Sequence, residues 1–107
     1  MAVCDTTEER ARKAAPTNAE VYTALAATNV DAVYLCTPVF LHTPHAIRVL
    51  QAGKHVIVEK PVAINYAEAM KLVAIADSSD KACCVAYFRR FFPKYAETKR
   101  ALEAKEL

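Results

Sequence analysis

Asp31-Ala32-Val33-Tyr34-Leu35-Cys36-Thr37-Pro38 is the stretch that decides the fold. Ala32 to Cys36 is a continuous apolar run whose length and β-branched or aromatic content suit a buried strand, and Thr37-Pro38 ends it. Downstream, Pro44 suits a helix N-terminus with Thr43 as its N-cap. Ala46, Ile47, Val49 and Leu50 give that helix an apolar face, and Gly53 stands where a left-handed residue closes a helix. His55 to Val58 reads as a second buried strand, ended by Glu59-Lys60-Pro61. Asn65 then caps a helix through Ala76, with Ala67, Met70, Val73 and Ala74 on its expected apolar stripe. Ala82 to Tyr87 is a further strand, Arg89-Arg90-Phe91-Phe92-Pro93 a turn, and Lys94 to Leu107 a polar helix.

The same reading works upstream. Ala2-Val3-Cys4 is a stub of strand, and Thr6 or Thr7 caps a helix from Glu8 to Ala15 that Pro16 stops. Val21-Tyr22 is a very short strand, and Ala24 to Thr28 a helical turn or two. Strand and helix alternate throughout, and the strands are apolar on both faces. That pattern predicts an α/β chain with a parallel sheet covered by helices on both sides.

Composition narrows the function. The chain has 107 residues, 54% of them hydrophobic and 24% charged, which fits one globular domain. A net charge of +2 is too small to announce a nucleic-acid or anionic-membrane partner. The uncharged stretch from Ala32 to Ile47 is too short to span a bilayer and is broken by Pro38 and Pro44, and Met1 is not followed by a signal-peptide pattern. Gly53 is the single glycine, where average usage of about 7% would give several. A Gly-rich phosphate loop is therefore absent from these residues. Cys4, Cys36, Cys83 and Cys84 lack CxxC or CxxH spacing, so no metal site is expected. Each falls in or beside an apolar run, and the four are read as small core residues in a reducing cytoplasm.

In open parallel α/β sheets, ligands bind outside the carboxyl ends of the strands. Those ends carry Asp5, Thr37-Pro38, Glu59-Lys60-Pro61 and Arg89-Arg90. Each has a plainer reading: Asp5 as a helix cap, Thr37-Pro38 as a turn initiator, Glu59-Lys60 as a solvated pair, and the arginines as solvated cations beside a helix. His42, His45 and His55 are scattered, and for any one of them a structural role outweighs a ligand role.

Taken in order, the set DAV…TP…H…AGKHV…EKP…RRFFP resembles the N-terminal half of the glucose–fructose oxidoreductase/inositol dehydrogenase family (Gfo/Idh/MocA). The resemblance covers Ala2 to Leu107. It implies a Rossmann-like dinucleotide-binding domain, an incomplete doubly wound parallel sheet over residues 1–107 without the first strand and GxGxxG turn, and no substrate domain. It implies NAD or NADP as cofactor. Asp5 would bond the adenosine ribose and favour NAD, whereas Arg10 could serve a 2′-phosphate. Thr37 and Pro38 match the loop along the dinucleotide, and His42 the histidine after it. Glu59, Lys60 and Pro61 match the signature at the nicotinamide, with Lys60 as the catalytic residue on the substrate hydroxyl and Glu59 near the nicotinamide ribose. Arg89 and Arg90 match the basic pair after the last strand, one of which faces cofactor or substrate. A lysine beside a carbinol oxygen stabilises the charge left by hydride departure, and burial can bring a lysine's pKa toward neutrality.

Departures from the family pattern set further expectations. The missing first strand would lie between the second and fourth, leaving Val3 and its neighbours unpaired on that side. The segment Tyr22 to Val33 is shorter than usual by about one helical turn. Val39 stands where an Asn is common. The chain is thus read as a fragment of an NAD(P)-dependent oxidoreductase acting on a sugar, polyol or diol hydroxyl. Alone it is expected to be inactive and to bind NAD(H) weakly or not at all. The alternative is a non-catalytic interaction domain that covers its apolar surface with a partner or as a homo-oligomer.

Overall fold

A computed structural model describes residues 2–4, 7–17, 20–22 and 29–105. The element order is β1 (Ala2–Cys4), α1 (Glu8–Ala14), β2 (Glu20–Tyr22), β3 (Ala32–Leu35), α2 (His42–Gln51), β4 (His55–Val58), α3 (Tyr66–Asp77), β5 (Cys83–Val85) and α4 (Pro93–Glu103). Short 3-10 turns at Val39–Leu41 and Phe88–Phe91 precede α2 and α4. Asp5, Thr6, Ala24 to Thr28 and the end of the last helix, Glu106-Leu107, lie outside the described residues.

All pairing is parallel, but it forms two sheets. One is β1-β2, in register Val3 to Val21; the other is β3-β4-β5, in register Val33 to Val56 and Val56 to Cys83. Among the described residues no ladder joins β1 to β3.

Caps set the helix limits. Thr7 accepts from the Arg10 amide at 3.4 Å, and Asn65 Oδ1 accepts from the Glu68 amide at 2.9 Å. Each satisfies one N–H that the first helical turn leaves free. Gly53 takes φ +71° after α2, as expected for a left-handed closing residue. The start of α2 differs from expectation. The 3-10 turn draws it back to His42 with Leu41 at the cap, so Thr43 lies inside the helix, buried, with Oγ1 unpartnered.

The core joins Leu35 of β3, Val56 and Val58 of β4, Ala46, Val49 and Leu50 of α2, and Leu72 of α3. It lies on one face of the three-stranded sheet. The other face carries Tyr34 (50% exposed), Ile57 (37%) and Cys84, so among the described residues helices cover one side of it rather than both. Strand burial accordingly alternates, most clearly along His55–Val58. On α3 the inward face is Leu72 with Ile75 and Ala76, while Met70 and Val73 are exposed. The expected stripe was the opposite one. Apolar residues run almost all round this helix, so spacing alone does not choose the buried side.

The cysteines also differ from the core reading. Cys36 and Cys84 are exposed, Cys4 and Cys83 half-buried, and none forms a disulfide. Helix α4 is exposed along nearly its whole length. The radius of gyration, 16.7 Å, exceeds the about 13 Å of a compact chain this size. No helix among the described residues is long and apolar enough to cross a membrane.

Candidate functional site

Loops after the three parallel strands carry the candidate residues. Thr37-Pro38 follows β3, Glu59-Lys60-Pro61 follows β4, and Arg89-Arg90 sits in the 3-10 turn beyond β5. Backbone bonds hold the loops in step: the Glu59 amide donates to Leu35 O at 3.0 Å, and the Ala86 amide to Val58 O at 2.9 Å.

His42 ties two of these loops together. It is 2% exposed at the start of α2, and its ring nitrogens meet two carbonyl oxygens: Nδ1 to Pro61 O at 2.8 Å and Nε2 to Thr37 O at 2.7 Å. Carbonyls only accept. The ring satisfies both at once only with a proton on each nitrogen. His55 is arranged oppositely: its Nδ1 accepts from the Ala82 amide at 2.9 Å. Thr37 Oγ1 is buried without a partner, and Pro38 O accepts from the Leu41 amide at 2.9 Å.

Glu59 turns toward the uncovered sheet face, where the Tyr34 hydroxyl donates to Oε1; Oε2 accepts from the Lys60 amide at 3.2 Å. The tyrosine bond, with the Lys60 amide next, holds the Glu59 carboxyl below the usual range. The same bond pushes the Tyr34 phenol up to about 12, with smaller contributions from desolvation and the Glu59 charge. Tyr34 was missed as a site residue. Its position opposite Ile57, two residues before Glu59 on the same strand face, becomes visible only with the β3–β4 register.

Lys60, Arg89 and Arg90 border one open cleft of about 280 Å³ with their carbon atoms, and Ala86, Tyr87, Phe88 and Tyr95 complete its apolar wall. Lys60 is exposed. The Arg90 guanidinium lies 5.6 Å from the Phe91 ring centroid. Sequence reasoning did not single out Tyr87 and Tyr95, since one reads as strand and the other as a residue of a polar helix. Among the described residues no group of three or more His, Cys, Asp or Glu converges on a metal position.

Burial, then the Arg48 and His42 charges, hold the His45 imidazole below its ordinary 6.5. Between that lowered value and 6.5 the unfolded chain binds more protons than the folded one, so stability rises with pH across this window and falls on acidification. His45→Gln is expected to flatten that slope in urea melts at pH 5 to 7. An unchanged slope would assign it to other groups.

The sequence matches, over residues 1–87, the family described as "Oxidoreductase family, NAD-binding Rossmann fold". It is 40% identical over 84 residues to a 4-carboxy-2-hydroxymuconate-6-semialdehyde dehydrogenase of Sphingobium, covering 78% of this chain and 27% of that protein. It is 33% identical over 86 residues to scyllo-inositol 2-dehydrogenase (NAD(+)) of Bacillus subtilis, covering 80% of this chain and 25% of that protein. Among solved structures, the WlbA dehydrogenase of Bordetella pertussis in complex with NADH and UDP-GlcNAcA superposes with a TM-score of 0.86 at 32% identity, over 97% of this chain and 32% of that one. KijD10, a 3-ketoreductase of Actinomadura kijaniata in complex with TDP-benzene and NADP, gives 0.85 at 28%, over 97% of this chain and 34% of that one. The chain thus spans about a quarter to a third of the length of the relatives it matches. With the parallel sheet, the loop residues at its carboxyl edge and this match in hand, the chain belongs to the Gfo/Idh/MocA oxidoreductase family, in its NAD-binding Rossmann domain.

Proposed function

We propose that this chain supplies the nicotinamide edge of an NAD(P)-dependent dehydrogenase acting on a hydroxyl of a sugar, polyol or diol. The observation that carries this reading is that the loops after β3, β4 and β5 bring Thr37-Pro38, Glu59-Lys60-Pro61 and Arg89-Arg90 to one edge, with Lys60 and both arginines bordering one cleft. A dinucleotide fits the residues present: the Thr37-Pro38 and Glu59-Lys60-Pro61 loops form a continuous edge that His42 bridges, and the buried Thr37 hydroxyl is unpartnered. When bound, nicotinamide supplies the hydride acceptor or donor. Lys60 Nζ hydrogen-bonds the substrate oxygen and stabilises negative charge on it as its proton leaves. Glu59, Pro61, Thr37 and Pro38 shape the cofactor side of that edge, and His42 acts through the loops it joins. Asp5, outside the described residues, is the candidate for the adenosine ribose and inclines the preference toward NAD. A cytoplasmic setting suits four cysteines held as thiols.

The uncovered sheet face, with Tyr34, Ile57 and Cys84, favours a second reading in which the chain serves as an interaction or oligomerisation module. That reading requires a stable oligomer, and a monomer on size exclusion would remove it.

NADH titration followed by amide NMR tests the first reading. With one glycine the chain has no Gly-rich phosphate turn, so binding is expected on the order of millimolar. Shifts are expected to be confined to residues 37–42, 59–61 and 86–90. Scattered or absent shifts at saturating NADH would overturn the assignment, and micromolar affinity would overturn the expected weakness.

A further inference from the structure

We propose that the outward side of α3 is a self-recognition surface, on which two copies of this chain pair α3 against α3, antiparallel, about a two-fold axis. This surface lies apart from the candidate cleft and from the uncovered sheet face, and its role does not depend on the dehydrogenase reading.

Leu72, Ile75 and Ala76 face the core, yet the side of α3 away from it is not polar. Tyr66 is 79% exposed, Met70 43% and Val73 44%, and Asp77 is exposed at the helix end. At 3.6 residues per turn these four fall within about 60° of arc, so they form one stripe along the helix. Ala67 and Ala74 flank the stripe, exposed, and present no bulk to hold a second helix off. The other two charges of α3, Glu68 and Lys71, pair with each other at 2.6 Å, off the stripe. Neither the Tyr66 hydroxyl nor the Asp77 carboxylate has a hydrogen bond or ion pair among the described residues.

The order of residues in the stripe selects a second copy as its occupant. Tyr66 and Asp77 stand equally far from the midpoint between Lys71 and Leu72, and so do Met70 and Val73. A two-fold axis through that midpoint sets Met70 on Val73 of the other copy and each Tyr66 hydroxyl beside the other copy's Asp77. Every contact then forms twice, as a closed symmetric interface requires. The phenol donates to the carboxylate in a charge-assisted bond. The two aspartates sit at opposite ends of the pair, about 16 Å apart, where they repel little. Helix α3 runs back from the loop after β4 to the start of β5, against the strands, so the candidate sites of the two copies open toward opposite ends. One helix stripe is a small contact, and a dissociation constant on the order of 100 µM is expected. Such a dimer dissolves on dilution in size exclusion, unlike the stable oligomer that the interaction-module reading requires.

Sedimentation equilibrium of the full chain from about 10 µM to about 1 mM tests this. Met70→Lys and Val73→Lys are each expected to weaken the dimer about tenfold or more, with NADH binding as in the wild type. Tyr66→Glu and Asp77→Lys each weaken it severalfold, and the double variant carrying both recovers the dimer. Positions 66 and 77 of one chain are about 16 Å apart, so that recovery reports a contact between copies. Both changes suit the helix dipole at their ends, and circular dichroism verifies that every variant folds. Ile57→Lys, on the uncovered sheet face, is expected to leave the dimer unchanged. A chain that stays monomeric to about 1 mM overturns the proposal. So does a double variant no tighter than the single ones, and so does a dimer that Ile57→Lys dissolves and Met70→Lys does not.

Discussion

His42→Phe is expected to destabilise the chain by about 2–4 kcal/mol, because it strips donors from two part-buried carbonyls at once. Phenylalanine is slightly larger than histidine, so the loss reports the missing hydrogen bonds with some crowding and not a cavity. Glutamine at this position can serve one carbonyl but not both, and His42→Gln is expected to fall between. Urea melts of the three proteins give the order wild type, Gln, Phe. A phenylalanine variant as stable as the wild type would show that water replaces the ring without cost.

Leu72→Ala is the second large effect. Leu72 is 3% exposed and is the only fully buried side chain that α3 contributes to the core among the described residues. Truncation at such a site costs about 2–5 kcal/mol, the lost transfer energy plus the cavity left behind. The site has limited means to collapse, since β4 and α2 already pack around it through Val56, Val58, Val49 and Leu50. For a urea slope of about 1.5 kcal/mol/M, a 3 kcal/mol loss moves the midpoint down by about 2 M. Met70→Ala, on the exposed side of the same helix, is the control and should move it little. Equal effects at the two positions would place the buried side of α3 wrongly.

That contrast also shows what the sequence could disclose. β3, β4 and the closure of α2 at Gly53 were legible because apolar runs bounded by Pro and Gly leave few alternatives. The buried side of α3 was not legible: apolar residues lie on nearly every side, and only Leu35, Val56 and Leu50 decide which ones turn inward. Lys60, Arg89 and Arg90 stood out as candidates because strand ends in a parallel sheet face one way, and the structure places all three beside one cleft. The clamp at His42 was hidden, since its partners are main-chain carbonyls that any residue would offer. Pairing of Tyr34 with Glu59 needed the register between β3 and β4.

The exposure of α4 along nearly its whole length bears on how readily the cleft changes shape. One wall, Lys60, stands on a loop anchored to the core; the other, from Tyr87 to Tyr95, leads into a helix with almost no buried side chain. Segments of that kind open at little free-energy cost, and their amide protons exchange readily. A ligand seated between the walls must order the second against the first, so part of its binding energy is absorbed in that ordering. Occupancy should then register most strongly as slowed hydrogen exchange across the first turns of α4, farther along the chain than any residue the ligand touches.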